Sequence, residues 1–159
     1  MMEGISLEQK EGYAILSVDI PQTRNALSVP LVEYMDTLVD SVIADKDIHC
    51  LVITGGGEKS FVAGADIAKL VKMSPEESRY SIEVGHKLFS KIETMDIPVV
   101  AAINGYCLGG GLSGWADMRA AVFIGITMHD PRKAGVIGEP RLVPLRRVFQ
   151  GCTSSVHRS

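Results

Sequence analysis

The sequence lacks the features that would place it in a membrane or outside the cell. No apolar run reaches the roughly 18 residues of a membrane-spanning helix. The N-terminus, Met-Met-Glu-Gly-Ile, has no basic start followed by an apolar stretch, so no signal peptide is visible. The three cysteines, Cys50, Cys107 and Cys152, form an odd set without metal-ligand spacing. We therefore expect a cytoplasmic protein without a metal site.

A strong excess of charge of either sign is also missing. The 159 residues have a formal net charge of −3, with 46% hydrophobic and 22% charged residues. This composition is ordinary for a soluble domain that buries a real core. So small a net charge gives no reason to expect nucleic acid or an anionic membrane as a partner.

The charge is nevertheless unevenly distributed along the chain. Residues 1–111 contain seven Lys and two Arg against sixteen acidic residues, a net charge of −7. Residues 112–159 contain one Lys and six Arg against three acidic residues, a net charge of +4. Such a switch is typical of a basic binding tail or of a segment with a different origin. We therefore predict a core over residues 1–111 and an atypical C-terminal segment over residues 112–159.

Hydrophobic patterning predicts alternating strands and helices in the core. Strands are expected at residues 14–20, 50–54 and 99–103, and a further helix from Gly109. Ser28 is expected to cap one helix, and Ser74, with Glu77 in a capping box, another that runs to about Thr94. The predicted inward residues are Leu31, Met35, Leu38, Val42, Ile43, Ile82, Leu88, Phe89 and Ile92. This order is typical of an α/β fold with mainly parallel strands.

Two turns of small residues follow two of the predicted strands. Phe61–Asp66 follows the strand at 50–54, and Asn104–Gly111 follows the strand at 99–103. Small residues let a ligand approach the backbone, whose N–H groups then act as fixed donors. Two such turns that converge on one carbonyl would form an oxyanion hole. Taken alone, either turn is more typical of a tight structural connection.

Other chemistry is less well supported by these turns. Gly55-Gly56-Gly57-Glu58-Lys59-Ser60 follows a strand as a phosphate-binding loop does, but Glu58 stands where that motif requires glycine. Asp66 is expected to cap a helix that begins near Ile67, with ligand contact as its secondary role.

Three segments, in order and correctly separated, resemble the enoyl-CoA hydratase/isomerase (crotonase) superfamily. They are Arg24-Asn25-Ala26-Leu27, Phe61-Val62-Ala63-Gly64-Ala65-Asp66-Ile67 and Pro98-Val99-Val100-Ala101-Ala102-Ile103-Asn104-Gly105-Tyr106-Cys107-Leu108-Gly109-Gly110-Gly111. All three segments lie within residues 1–111, and they most resemble those of short-chain enoyl-CoA hydratases. The resemblance implies a ββα spiral fold, of which the core is the N-terminal part. It also implies homotrimers or hexamers, acyl-CoA thioester substrates, a role in fatty acid metabolism and no separate cofactor, since coenzyme A is part of the substrate.

The resemblance also implies roles for particular residues. The oxyanion donors would be the backbone N–H groups of Ala65 and Gly110. The residues that would line the coenzyme A and thioester channel are Arg24, Ala26, Ala63, Asp66, Ile67 and Ala68. This agrees with the turn chemistry, because a thioester enolate concentrates its charge on one oxygen that two donors can bind.

The acid–base residues of the family are missing. Hydratases of this family hold water between two glutamates, and the corresponding positions carry Ser113 and a residue near Lys133. The only glutamate after Glu93 is Glu139, whose surroundings do not match the family. We therefore expect a lyase by lineage, adding water across the 2,3-double bond of an enoyl-CoA, with weak or absent activity in this chain. The alternatives are a silent acyl-CoA-binding or assembly subunit, an enoyl-CoA isomerase, and a damaged product that does not fold stably.

The atypical segment has two explanations. Residues 112–159 are either a divergent C-terminus or a translation outside the ancestral reading frame. Read one base later, the codons of Met118-Arg119 can encode a cysteine, and those of residues 139–147 can encode a Leu-Gly-x-x-Pro-x-Gly-Gly-like word, both typical of the family. The coding DNA around codons 105–145 distinguishes the two explanations.

Overall fold

The fold is a parallel-rich sheet with helices against one face. The computed structural model describes residues 2–107 and 120–123. The elements in chain order are β1 (Ile5–Lys10), β2 (Tyr13–Val18), a 3-10 turn (Pro21–Thr23), α1 (Val29–Ala44), β3 (Leu51–Gly55), β4 (Ser60–Val62), α2 (Ile67–Leu70), α3 (Pro75–Glu93), β5 (Val99–Ile103), β6 (Tyr106–Cys107) and β7 (Ala120–Phe123). The α/β class is confirmed.

The main sheet has the strand order β1-β2-β3-β5-β7. β2, β3, β5 and β7 run parallel, with Leu51 opposite Val99 and Val100 opposite Ala120. β1 pairs antiparallel with β2 through a hairpin at Gly12, whose φ of +81° suits glycine. The sequence did not predict β1, because only Ile5 of its six residues is buried.

The first helix, α1, places its buried stripe slightly differently from the prediction. Its buried residues are Val32, Met35, Val39 and Val42, while Leu31 and Leu38 are partly buried beside the core. The prediction for Ile43 is wrong, since this side chain is 45% exposed. Ile43 lines a cavity of about 270 Å³ between the ends of α1 and α3.

The second long helix, α3, begins as predicted. The Ser74 hydroxyl accepts from the Glu77 N–H at 3.2 Å, and the Glu77 carboxylate accepts from the Ser74 N–H at 2.7 Å. Leu88 and Ile92 are buried and Phe89 is partly buried, but Ile82 is 57% exposed and its prediction is wrong. At about 100° per residue, Ile82 lies about 120° around the helix from Leu88 and misses the buried stripe.

The remaining local predictions are met in part. Ser28 is the N-cap of α1 by position, but its side chain makes no capping hydrogen bond. The strand expected at 14–20 ends at Val18, and the one expected at 50–54 spans Leu51–Gly55, whereas β5 has the expected bounds. The helix expected from Gly109 lies outside the described residues. None of the helices within residues 2–107 has the length and apolar character needed to cross a bilayer.

Charged side chains link α1 to α3. The Asp36 carboxylate lies 2.8 Å from the Lys87 ammonium and 2.5 Å from the Lys91 ammonium, which also reaches Asp40 at 2.6 Å. Burial by itself would raise the pKa of Asp36, but its hydrogen bonds and charge interactions with the two lysines hold that pKa below its usual value. The network therefore supports helix packing at neutral pH.

Candidate functional site

The two turns of small residues begin at neighbouring strands. β4 and β6 form a second, two-stranded sheet in which they run parallel. Ser60 lies opposite Tyr106, and Val62 lies opposite Cys107. Because parallel neighbours end at the same edge of a sheet, Val62 and Cys107 lie side by side at the carboxyl ends of β4 and β6.

Close backbone contact holds this strand pair. A Cβ atom on Gly105 would lie 2.5 Å from the carbonyl carbon of Lys59, so only glycine fits there without a backbone shift. The Tyr106 N–H donates to the Lys59 carbonyl at 3.0 Å. The buried Ser60 hydroxyl donates to the Arg24 carbonyl at 2.8 Å and has the Tyr106 carbonyl at 3.2 Å. Ser60 therefore links the second sheet to the segment around Arg24.

Asn25 is a buried polar residue at the centre of the region, with 1% of its surface exposed. Its side-chain N–H₂ group lies 2.8 Å from the Ser60 carbonyl, 3.2 Å from that of Phe61 and 3.3 Å from that of Gly56. Its side-chain oxygen accepts from the Ile20 N–H at 2.7 Å. The φ of Asn25 is +60°, in the left-handed region that asparagine tolerates better than most residues.

The segment that contains Asn25 pairs directly with the first turn. Leu27 and Ala65 form an isolated parallel bridge. The Leu27 N–H donates to the Gly64 carbonyl at 2.8 Å, and the Asp66 N–H donates to the Leu27 carbonyl at 3.1 Å. Gly64 has a φ of +89°, which requires glycine in practice. The bridge joins the segment that contains Ala26 to the turn that contains Ala63 and Asp66.

This bridge determines where the Ala65 N–H points. The Gly64 carbonyl and the Ala65 N–H belong to one trans peptide unit, in which the two groups point in opposite directions. Because the carbonyl points at Leu27, the N–H points away from it. Within residues 2–107 and 120–123, no group accepts a hydrogen bond from this N–H, and Ala65 is exposed. Among the residues that the structure describes, the Ala65 N–H is therefore a backbone donor without an acceptor.

Asp66 caps the short helix α2, as predicted. Its carboxylate accepts from the Lys69 N–H at 3.3 Å and lies 3.5 Å from the Lys69 ammonium. Ile67 is the first residue of α2, and Ala68 is exposed in its first turn. The cap therefore fixes how the chain turns away from Ala65.

The residues predicted for the second turn are not described. Gly110 lies outside the described residues, as do Ser113, Lys133 and Glu139. Cys107, the last residue described before that turn, is half-buried, and its burial raises the pKa of its thiol to about 11. A thiol with this pKa is protonated at neutral pH and is a poor nucleophile.

The glycine triplet after β3 is occupied by the protein itself. The Asn104 side chain donates to the Gly55 and Gly57 carbonyls at 2.6 and 2.5 Å and accepts from the Gly55 N–H at 3.3 Å. The Gly56 N–H donates to the Val18 carbonyl at 2.6 Å. A phosphate-binding loop leaves such N–H groups free for its ligand, so this arrangement agrees with rejecting that motif.

The sequence-based prediction missed the structural roles of Asn25, Ser60 and Asn104. Asn25 stands in a segment singled out by family resemblance, and Ser60 and Asn104 stand in segments singled out for their glycines and small residues. The available signal was the general tendency of asparagine to bond nearby backbone groups and to adopt left-handed conformations at turns.

Comparison with known proteins shows which family the chain belongs to. Residues 13–123 match a family model described as Enoyl-CoA hydratase/isomerase. The match spans β2 to β7 and continues past Gly111, where the recognised motifs end. The chain therefore belongs to the enoyl-CoA hydratase/isomerase family.

Individual relatives agree with this assignment. The chain is 40% identical to a crotonyl-CoA hydratase of Syntrophomonas wolfei, with 89% of the chain and 58% of the relative covered. It is 36% identical to a short-chain-enoyl-CoA hydratase of Clostridium acetobutylicum, with 76% and 47% covered. The chain thus spans about half the length of these relatives, and its lineage is of the enoyl-CoA hydratase type.

Solved structures show the same fold. The enoyl-CoA hydratase from Bacillus anthracis superposes with a TM-score of 0.73 at 27% identity, covering 76% of this chain and 47% of that one. An enoyl-CoA hydratase/isomerase family protein from Hyphomonas neptunium gives a TM-score of 0.70 at 31% identity, covering 76% and 47%. The expected crotonase fold is confirmed.

Proposed function

We propose that this chain binds an acyl-CoA thioester with its carbonyl oxygen between the N–H groups of Ala65 and Gly110. The observation that carries the proposal is the parallel pairing of β4 with β6. Ala65 follows Val62 by three residues, and Gly110 follows Cys107, the partner of Val62, by the same three. Val62 and Cys107 are adjacent strand ends, with a register shift on β4 between Ser60 and Val62, and this adjacency favours a site that uses both turns.

The free Ala65 N–H supports this chemistry. A backbone donor held in place before the ligand arrives stabilises a developing enolate oxygen without reorganisation, and losing one such donor typically raises the barrier by about 2.7–4 kcal/mol. The donor role of Gly110 stays a proposal, resting on its place in the glycine-rich segment. Arg24 is exposed next to the bridge, and its guanidinium suits the phosphates of coenzyme A.

The proposed reaction is addition of water across the 2,3-double bond of an enoyl-CoA, at a weak or absent rate in this chain. Relatives are named for crotonyl-CoA and short-chain enoyl-CoA hydration. Ser113 and Lys133 stand where the family's two glutamates are expected, and general acid–base groups contribute about 10²–10⁴-fold. Because a hydroxyl at neutral pH does not replace a carboxylate base, we expect thioester binding to exceed turnover.

Two alternative functions and several further properties are also proposed from the family resemblance. The first alternative is a silent acyl-CoA-binding or assembly subunit, which the missing carboxylates support. The second is an isomerase, which would need an acid–base group elsewhere. Family membership favours a homotrimer or hexamer, a cytoplasmic location and a role in fatty acid metabolism, without a separate cofactor.

The test compares two ligands that differ by one oxygen. Butyryl-CoA carries the thioester carbonyl, and S-butyl-CoA, its thioether counterpart, lacks it. Calorimetry should show that the thioester binds at least about tenfold more tightly, because only it can accept from the two N–H groups. Equal affinities, or no binding of either, would contradict the proposed site.

Turnover is measured separately, from the loss of enoyl absorbance when crotonyl-CoA is hydrated. We expect little or none despite binding. Measurable turnover that Ser113→Ala abolishes would show that the expected loss of activity is wrong.

A further inference from the structure

We infer that Asn25 is a positioning residue that sets the direction of the Ala65 N–H. The inference rests on the proposed function, since it assigns a role at the same site. Asn25 itself is buried and is connected to Ala65 through Leu27 and through β4, so it acts through other residues.

The first step is the double attachment of the Asn25 side chain. Its N–H₂ group binds the carbonyls of Ser60 and Phe61, both in β4, and its oxygen binds the Ile20 N–H before the 3-10 turn. The same side chain therefore holds β4 and the segment that runs into Leu27. Loss of the amide would remove these hydrogen bonds and weaken the attachment between the two parts, which the Ser60–Arg24 hydrogen bond and the Leu27 bridge also hold.

The second step is the bridge that follows Asn25 by two residues. Leu27 accepts from Asp66 and donates to Gly64, so it bonds the residues on both sides of Ala65. The Leu27–Gly64 hydrogen bond fixes the plane of the peptide that carries the Ala65 N–H. A displaced Leu27 would let that plane rotate, and the donor would lose its fixed direction.

The third step is the choice of side chain. Asn25 supplies two donor hydrogens and one acceptor while adopting a φ of +60°. Glycine would keep the backbone conformation but lose every side-chain hydrogen bond. Aspartate would keep the acceptor for Ile20 but set a carboxylate against the carbonyls of Gly56, Ser60 and Phe61. The two substitutions therefore remove the amide in different ways.

The experiment measures the thioester-to-thioether affinity ratio in Asn25→Gly. We expect the ratio to fall about tenfold, toward one, while S-butyl-CoA binds within about twofold of its original affinity. The matched control is Val39→Ala, which removes buried contacts from α1 without touching the bridge. It should lower stability and leave the ratio unchanged. If the role of Asn25 were purely structural, Asn25→Gly would behave like Val39→Ala: it would lower stability and leave the affinity ratio unchanged.

Amide hydrogen exchange in the ligand-free protein is the second readout. The Leu27 and Asp66 amides should exchange about tenfold faster in Asn25→Gly than in Val39→Ala after correction for global stability. If Asn25→Gly does not fold, Asn25→Asp is measured in the same way and should change both readouts in the same direction.

The outcomes separate this inference from the proposed function. A wild-type protein without a thioester preference refutes the oxyanion site, and exchange at Leu27 then still decides whether Asn25 holds the bridge. A wild-type preference that persists in Asn25→Gly, or exchange no faster than in Val39→Ala, overturns the positioning role.

Discussion

Apolar side chains hold β3 and β5 against α1 and α3, whereas side-chain amides hold the turns that follow β3 and β5. In the core, Met35, Ile53 and Leu88 are fully buried in one continuous cluster. In the turn region, defined here as residues 24–27, 55–66 and 104–107, Asn25 and Asn104 hold backbone carbonyls. Apolar packing is non-directional, while hydrogen bonds fix directions. Apolar packing therefore contributes most of the stability, including that of Leu27, Phe61 and Val62 in the same cluster, and the hydrogen bonds of the turn region determine where one N–H points.

The largest effect is expected from breaking the core. Met35→Ala removes a fully buried side chain from α1 and should lower the free energy of unfolding by about 2–5 kcal/mol. Denaturant unfolding measures this loss. At temperatures where the variant is folded, its thioester-to-thioether affinity ratio should equal that of the wild type. A changed ratio would mean that the core and the turn region are not separable.

Removing the donor itself should affect the ligand more than the fold. Ala65→Pro deletes the N–H that faces away from Leu27, at an exposed position. The expected loss is about 1 kcal/mol, the typical net contribution of one hydrogen bond to a neutral carbonyl, measured as weaker binding of butyryl-CoA with S-butyl-CoA binding retained. An unaltered preference for the thioester would exclude Ala65 as a donor.

A pair of glycine substitutions tests the contact between β4 and β6. Gly105→Ala would push a methyl group to within 2.5 Å of the Lys59 carbonyl carbon, whereas a Cβ on Gly85 meets nothing within 4 Å. We expect Gly105→Ala to cost about 1–3 kcal/mol of stability and to reduce the affinity ratio. Gly85→Ala, in the middle of α3, should stabilise the protein by up to about 1 kcal/mol. Thermal unfolding measures the Tm of both variants. Equal changes in Tm would refute the expected difference between the two positions.

The smallest effect is expected from the ion pairs on the helices. Because the folded-state pKa of Asp36 is lowered, its contribution to stability is present above the unfolded value of about 3.9 and is lost as pH falls through the folded pKa. Lys87 is 69% exposed at its side chain, so water screens that pair and about 1 kcal/mol is a reasonable size. Asp36→Asn should therefore be slightly less stable than the wild type at pH 7. At pH 3 the difference in the free energy of unfolding between the two proteins should be smaller than at pH 7. A larger difference at pH 3 would contradict a lowered pKa for Asp36.

Local sequence signals predicted the core better than the turn region. β5 and the Ser74 capping box have the expected positions, since continuous apolar residues and a cap with Glu at its third position are local patterns. β4 and β6 have three and two residues, too few for a periodicity to show. Asn25 bonds carbonyls 31 to 36 residues away, and no local pattern encodes such a contact.

The site was predicted through small residues and family resemblance rather than through contacts. The cap role of Asp66 agrees with the prediction, whereas the channel roles of Arg24, Ala26 and Ala63 stay predictions. The direction of the Ala65 N–H could be predicted only with knowledge of the Leu27–Ala65 bridge, which pairs residues distant in the chain. Periodicity identifies which face of an element is buried, but it does not identify which peptide plane is fixed by a distant partner.

A crystal structure of this chain with butyryl-CoA bound is the most direct test of the central claim. Our account predicts that the thioester oxygen lies about 2.7–3.1 Å from the backbone nitrogens of both Ala65 and Gly110. A thioester oxygen bound elsewhere, or two nitrogens that point in divergent directions, would contradict it.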